Sequence, residues 1–410
     1  MQSTATNGKA THARQAGAPR RLILRNHQSP GDVLMLTAAV RDLHRCYPGQ
    51  FETDVRTSCP AFWENNPYLT ALDESDAGVE TIECHYPLIH QSNQRPVHFL
   101  DGFREFLNER LGLAIQRTEL RGDIHLSAEE LAAPSPVAQW CGGEVPYWII
   151  VAGGKWDYTI KWWHVARWQA VVDHFRGRLF FVQVGERGHY HPRLDGVLDV
   201  RGRTSLRTLI RLVHHAEGVF CPVTCLMHLA AAVPRPAGVV GERPCVVVAG
   251  GREPVAWERY PAHHFLHTVG MLPCCTSGGC WKARTVPLGD GDIKDASAAL
   301  CLRPRRVGEG PESRSFASET LSLWRKTSFD PPPHWLPECM DRISPREVSV
   351  VIETMLTNKT IRQYDRESAN HGENGLSRMN ARRLGENMEW QRRQTTQGDM
   401  THHNTHLTPR

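Results

Sequence analysis

Short apolar runs alternate with stretches of helical periodicity, and this alternation constrains the fold more than any other feature of the chain. The first series comprises apolar runs at 21–25, 51–57, 79–84 and 123–126 and helical stretches at 32–46 and 98–113. Alternating strands and helices predict a parallel, doubly wound α/β sheet.

A stretch rich in Pro and Gly at 132–146 precedes a second series of the same kind. It comprises apolar runs at 147–151, 179–184, 218–221 and 245–249 and helical stretches at 162–175, 205–215 and 226–232. Two similar α/β lobes, expected at 20–140 and 147–270, favour a ligand cleft between them. A cysteine-rich segment at 271–345 and a terminal helix at 346–356 follow, and polar composition predicts disorder at 1–19 and 357–410.

Charge and hydropathy exclude several classes of protein. The 410 residues carry 48 Lys and Arg against 44 Asp and Glu, a net charge of +4 that is too small to indicate a nucleic-acid partner. No apolar run is long enough to predict a transmembrane segment, and the first residues lack the apolar core of a signal peptide. We therefore expect a cytoplasmic protein whose 12 cysteines are reduced.

Asp32 is the candidate catalytic base. It follows Pro30 and Gly31, where the first apolar run ends and an amphipathic helix begins. Open parallel sheets bind ligands outside the carboxyl ends of their strands, so this carboxylate is expected at a cleft. An acid in the first turn of a helix also caps it, and the local pattern leaves both roles open.

Two turns of the second series are candidate anion sites. Gly153 and Gly154 end an apolar run and lead through Lys155 and Lys161 towards a helix, a pattern that suits a phosphate but lacks the full P-loop spacing. The alternative is an ordinary loop with two solvated lysines. Glu186 follows the next apolar run and could accept hydrogen bonds from ribose hydroxyls, or it could be a surface acid.

The second anion-binding turn begins at Thr224, which could cap a helix of small residues and face an anion. Cys225 and Leu226 supply the first amides of that helix, and His228 follows on the same face as Thr224. A histidine among Leu and Ala can equally be a buried structural residue.

The late cysteines are the candidate metal ligands. Cys275, Cys280, Cys301 and Cys339 could enclose a structural zinc or iron ion, with Cys274 as an alternative to Cys275. The other possibility is a set of free cysteines on loops. The stretch at 303–333 has no role that its composition predicts.

Taken together, these motifs resemble glycosyltransferase family 9, the ADP-heptose-dependent heptosyltransferases, over roughly residues 20–270. The resemblance rests on the Gly31-Asp32 element, on Lys161-Trp162-Trp163 as the Lys-x-Trp of that family, and on the turn from Thr224 to His228. The late cysteines resemble the cysteine-bound iron motif of the autotransporter heptosyltransferases, which modify protein serines.

The resemblance implies a GT-B fold, in which two Rossmann-like domains face a central cleft. It further implies inverting transfer of a heptose or related sugar from an ADP-activated donor to a hydroxyl of a lipopolysaccharide core or a protein serine. Asp32 would be the base, no catalytic divalent ion would be needed, and a homo-oligomer is possible. The candidate donor-binding residues are Gly31, Lys155, Lys161, Glu186, Thr224, Cys225, Leu226 and His228.

One departure from the family leaves an alternative function open. Where the family has Asp-Thr-Gly, this chain has Val223-Thr224-Cys225, so an acid and a glycine are lost. The chain could therefore be a non-catalytic protein that binds a nucleotide or a partner. A nucleotide-dependent epimerase or dehydrogenase is disfavoured, because no Gly-x-Gly-x-x-Gly follows the first apolar run.

Overall fold

The computed structural model describes residues 18–85, 87–307 and 335–370. Disorder was predicted at 1–19 and 357–410, and most of both segments lies outside these ranges, as does all but the first part of the 303–333 stretch. The disorder predicted at 357–370 is wrong, because these residues are helical. The chain divides into two units. Unit 1 runs to Ala133 and also includes Ala231–Pro234 and Ala256–Tyr260, whereas unit 2 contains Pro134–Ala230, Arg235–Val255 and the residues from Pro261 onward.

Unit 1 contains a three-stranded parallel sheet with the strand order β2-β1-β3. Its apolar strand β1 is buried at Leu22, Ile23 and Leu24, and α1 buries an almost continuous face from Val33 to Leu43. The elements are β1 (Arg20–Asn26), α1 (Pro30–Cys46), β2 (Phe51–Thr57), β3 (Val79–Glu83), α2 (Leu100–Leu111) and α3 (Ala128–Ala132).

Unit 2 contains a six-stranded sheet with the order β6-β5-β4-β7-β8-β9, in which every adjacent pair is parallel. Helices α7 and α8 end within the short segments that belong to unit 1. The elements of this half are α4 (Pro136–Cys141), β4 (Trp148–Ile150), α5 (Val165–His174), β5 (Phe181–Gln183), β6 (Leu198–Asp199), α6 (Leu206–His215), β7 (Gly218–Pro222), α7 (Cys225–Ala232), β8 (Cys245–Gly250), α8 (Val255–Glu258) and β9 (His263–His267).

The remaining described elements belong to the same unit. A two-stranded antiparallel ribbon is followed by two helices. These elements are β10 (Pro304–Arg306), β11 (Trp335–Pro337), α9 (Glu338–Asp341) and α10 (Pro345–Asn370).

Aromatic side chains form the core between the large sheet and its C-terminal helices. Trp168 packs against Trp163 and Phe220 with ring centroids 5.1 and 4.5 Å apart. The indole nitrogen of Trp163 donates to the carbonyl of Ile343 at 3.0 Å, which ties the chain after the cysteines to this core. The 271–345 segment is therefore packed into unit 2 where it is described.

The α/β class with parallel sheets is confirmed, and the structure differs from the predicted elements at several places. No strand forms at 123–126, where Asp123 instead donates its amide to the Thr37 hydroxyl at 2.8 Å. Helix α5 begins at Val165 rather than at 162. Helix α10 continues past the predicted end at 356. Among the described residues, no helix is long and apolar enough to cross a membrane.

Candidate functional site

The predicted donor-binding residues of unit 2 lie at one edge of its sheet. Lys155 follows β4, Glu186 follows β5 and Thr224 follows β7. Because these strands are parallel, their carboxyl ends meet at the same edge, which is where open α/β sheets bind ligands. Gly31 and Asp32 lie at the corresponding end of β1 in unit 1.

The Gly153-Gly154 turn, a candidate phosphate site, is held by backbone hydrogen bonds within the protein. The amide of Gly154 donates to the carbonyl of Tyr190 at 2.7 Å, and the amide of Tyr190 donates back to Gly154 at 3.0 Å. Gly153 has φ +85°, and a Cβ there would overlap the carbonyl oxygen of Tyr190. These glycines therefore allow a close backbone contact within the protein.

This contact predicts a large stability loss for Gly153→Ala. We expect a decrease of about 3 kcal/mol in the free energy of unfolding, because backbone strain and steric overlap add. Gly188→Ala is the matched control, since Gly188 has φ +83° but open space around its Cβ position, and about 1 kcal/mol is expected there. Urea denaturation measures both values, and equal losses would contradict the steric argument.

Lys161 ends a 3₁₀ turn over Trp156–Lys161, so it precedes α5 by several residues and does not lie at a helix start. Its ammonium lies 2.6 Å from Oε1 of Glu253, and its side chain is 22% exposed. Lys155 caps the same 3₁₀ turn and is half-buried.

Sequence reasoning missed Arg252 and Glu253, which follow β8 at the same sheet edge. Glu253 is buried, and its Oε1 pairs with both Lys161 and the guanidinium of Arg252. Burial opposes ionisation of Glu253, but the charges of Arg252 and Lys161 outweigh it and lower the pKa of the carboxyl. An acid and a base directly after an apolar run are the signal that could have revealed this pair.

The turn after β7 matches its predicted capping role. The Thr224 hydroxyl accepts a hydrogen bond from the Leu226 amide at 3.3 Å. That amide is thus engaged within the protein, whereas the Thr224 hydroxyl keeps its own proton to donate. Cys225 is half-buried at the first position of α7, and His228 is buried.

Glu186 is an exposed side chain, 66% accessible, and its Oε2 lies 3.2 Å from Nδ1 of His189. It is at the predicted strand end, where a ligand hydroxyl could reach it from solvent. No contact joins it to Lys161 or Thr224 among those the structure gives for these described residues.

Asp32 caps α1 at its third position. Its Oδ2 accepts a hydrogen bond from the Ser29 amide at 3.0 Å, and the side chain is half-buried. The positive end of the helix dipole favours the ionised carboxylate here. An ionised carboxylate has about four acceptor positions, so capping leaves capacity for a substrate hydroxyl.

Five cysteines of unit 2 line one small, largely enclosed cavity of about 10 Å³. They are Cys274, Cys275, Cys280, Cys301 and Cys339. All are free thiols. The space is on the scale of about one water-sized sphere, which also suits a single metal ion.

Cys274 and Cys275 differ in orientation. The buried Cys275 thiol donates to the carbonyls of Thr268 and Leu272 at 3.4 and 3.5 Å. Burial raises the pKa of Cys339 to about 12, and the nearby thiols of Cys280, Cys301 and Cys274 act in the same direction. Both cysteines line the cavity, but the thiol of Cys275 is engaged with backbone carbonyls.

Backbone amides hydrogen-bond to three of these sulfurs. Arg303 donates to Cys301 at 3.4 Å, Lys282 donates to Cys280, and Gly251 donates to Cys339. Such donors stabilise thiolates and are typical of cysteine-ligated metal centres. Across the described residues, however, no three His, Cys, Asp or Glu side chains already have the arrangement of a metal centre.

The sequence from 88 to 240 matches the model of glycosyltransferase family 9 (heptosyltransferase). Residues 88–240 are a glycosyltransferase family 9 domain. The chain is therefore a glycosyltransferase. The family 9 match includes Lys155, Lys161, Glu186 and the turn at Thr224, and leaves out Asp32, Glu253 and the late cysteines.

Solved structures of glycosyltransferases are similar to part of the chain. A family 9 glycosyltransferase from Veillonella parvula is 14% identical with a TM-score of 0.47, and the match covers 61% of this chain and 86% of that one. The iron-containing dodecameric glycosyltransferase TibC from enterotoxigenic E. coli is 18% identical with a TM-score of 0.45, covering 64% and 65%. E. coli heptosyltransferase WaaC with ADP is 15% identical with a TM-score of 0.41, covering 61% and 94%.

The family 9 assignment rests on the match over 88–240, since these structural likenesses are distant. Among curated proteins, none matches the sequence.

Proposed function

We propose that this family 9 glycosyltransferase is an inverting enzyme that transfers a heptose or related sugar from an ADP-activated donor to a hydroxyl acceptor. The observation that carries the proposal is the family match over 88–240, which includes the strand ends that hold Lys161, Glu186 and Thr224. The acceptor would be a saccharide, such as a lipopolysaccharide core, or a protein serine.

The donor-side roles follow from charge and hydrogen bonding. An ammonium has three N–H donors, so Lys161 can keep its contact with Glu253 and still donate to a diphosphate. The Thr224 hydroxyl donates to the same anion. These groups stabilise the negative charge that develops on the leaving nucleotide, and such fixed donors are the main source of rate enhancement in many enzymes.

Asp32 is the proposed base. The acceptor oxygen attacks the anomeric carbon from the face opposite the diphosphate, and the bond between that carbon and the diphosphate oxygen breaks. The acceptor proton passes to the Asp32 carboxylate, and the electron pair leaves with ADP. A single displacement of this kind inverts the anomeric configuration.

Cys274, Cys280, Cys301 and Cys339 are the proposed ligands of one structural iron or zinc ion. Four thiols at one cavity, with backbone amides beside them, are the residue type that would bind such an ion as thiolates. Such an ion would hold together the loops on which the four cysteines lie. Cys274 takes the place of Cys275 in the proposed ligand set, because the thiol of Cys275 donates to two carbonyls.

Incubation of the purified protein with ADP-heptose, with ADP release as the readout, tests the function. We expect release by the wild type, and a decrease of about 10²-fold in Lys161→Met, because one charge that stabilises the leaving group is lost. Arg176→Met is the control, since this exposed cation of unit 2 follows α5 and pairs with Asp173.

Two other results would contradict the proposal. ADP binding without turnover, with saccharide and peptide acceptors supplied, would favour the non-catalytic nucleotide-binding alternative. If the protein neither binds ADP nor turns over ADP-heptose, an ADP-sugar is excluded as the donor.

A further inference from the structure

A buried carboxylate joins two cations at the carboxyl edge of the large sheet. Oε1 of Glu253 lies 2.6 Å from Nζ of Lys161 and also accepts from Nη1 of Arg252. The Glu253 side chain is 2% exposed, against 22% for Lys161. All three residues belong to unit 2, so the cluster is defined within one unit.

Arg252 is fixed on several sides. Its guanidinium lies over the rings of Tyr158 and Trp281, 4.9 and 5.1 Å from their centroids, and its Nε donates to the carbonyl of Lys282 at 2.7 Å. The backbone of Trp281 has φ +55°. Such a conformation is rare for a bulky residue, and residues that adopt it are concentrated at functional sites.

The backbone that carries Glu253 is held by the cysteine segment. The amide of Cys280 donates to the carbonyl of Gly251 at 3.1 Å, and the amide of Trp281 donates to Arg252 at 3.0 Å. A Cβ at Gly279 would overlap the Arg252 carbonyl, so the two stretches approach as closely as backbones can. Glu253 is therefore placed by rigid backbone contacts.

The second carboxylate oxygen of Glu253 is an unused hydrogen-bond acceptor. Oε2 of Glu253 is buried and has no hydrogen-bond partner among the residues that the structure describes. A buried acceptor left without a partner is destabilising, so its retention calls for an explanation. A spare acceptor lets the carboxylate take a second hydrogen bond from the ammonium of Lys161.

We propose that Glu253 is a positioning residue for the diphosphate of the donor, acting through Lys161. A lysine side chain has much rotational freedom, and the carboxylate orients its ammonium beside Arg252 before the anion arrives. The negative charge of Glu253 reduces the repulsion between Lys161 and Arg252. The three side chains together carry one net positive charge, which attracts the diphosphate. This inference rests on the proposed function, because it takes a nucleoside diphosphate as the ligand.

The test compares ADP with AMP, which lacks the β-phosphate that we expect this cluster to bind. Calorimetric titration of Glu253→Gln should show ADP affinity lowered by about tenfold and AMP affinity unchanged, because an amide cannot pair with two cations. Glu353→Gln is the matched control, as Glu353 pairs with His174 and Arg178 at the surface of the same unit. In a Lys161→Met background, Glu253→Gln should change ADP affinity no further.

An increase in ADP affinity in Glu253→Gln, instead of a decrease, would overturn the inference. If Glu253 only competes with the diphosphate for Lys161, its removal raises ADP affinity, and if it only supports the fold, ADP and AMP affinities change together. Should Glu253→Gln not fold, Glu253→Asp keeps the charge, shifts it by one methylene and should still lower ADP affinity selectively. Wild-type protein that binds no ADP refutes the proposed function, and this inference with it.

Discussion

Asp32→Asn is expected to lower the rate of sugar transfer by about 10²- to 10⁴-fold, the usual contribution of a general base. An amide cannot take the acceptor proton, whereas its oxygen can still accept from the Ser29 amide at the start of α1. The helix should therefore remain capped. Steady-state ADP release gives the rate, and calorimetry with ADP should show unchanged affinity because the donor residues lie in unit 2.

Asp76→Asn is the control for this substitution. Asp76 pairs with Arg21 at the surface of unit 1, and its loss should change neither rate nor affinity. Full activity in Asp32→Asn would show that Asp32 is only a helix cap. Loss of ADP affinity together with rate would instead indicate a change in the fold.

Substitution of the cysteines by serine should separate the four sulfurs of the proposed site from Cys275. Cys274→Ser and Cys301→Ser should each lose bound iron or zinc and several kcal/mol of folding free energy, since structural sites can contribute about 10 kcal/mol or more. Cys275→Ser should keep the metal, because its thiol hydrogen-bonds to Thr268 and Leu272. Elemental analysis and thermal unfolding measure the two effects.

The Cys274 and Cys275 variants form a matched pair, as they are adjacent and differ in orientation. Metal loss in Cys275→Ser but not in Cys274→Ser would restore the ligand set first predicted from the sequence. Wild-type protein that is fully stable without metal would refute a structural ion.

Periodicity predicted the strands and helices that pack through apolar faces. The strand at 51–57 was predicted at its observed ends, because Phe51, Thr53 and Val55 alternate with charged residues and Gly49 precedes the strand. The strand at 123–126 was wrong, since Asp123 is held by a side-chain hydrogen bond to Thr37 instead of a sheet neighbour. Strand β9 was missed because three of its five residues are histidines, which carry no clear apolar signal.

The candidate site was predictable only where one local motif carries it. The Thr224 cap was predicted from residue type and spacing, and in the structure the Thr224 hydroxyl accepts from the Leu226 amide. The ion pair between Lys161 and Glu253 joins residues on different strand ends, so no local pattern contains it. The orientation of Cys275 depends likewise on carbonyls that the fold brings to it.

Unit 1 is completed by residues that are distant in the chain. The amide of Phe99 donates to the carbonyl of Trp257 at 2.9 Å, and the hydroxyl of Tyr260 lies 3.7 Å from the sulfur of Met35. During synthesis, the ribosome must therefore translate past Tyr260 before these contacts can form. Most of the second sheet will have been synthesised by then, so unit 1 gains its last contacts only after most of unit 2 has been made.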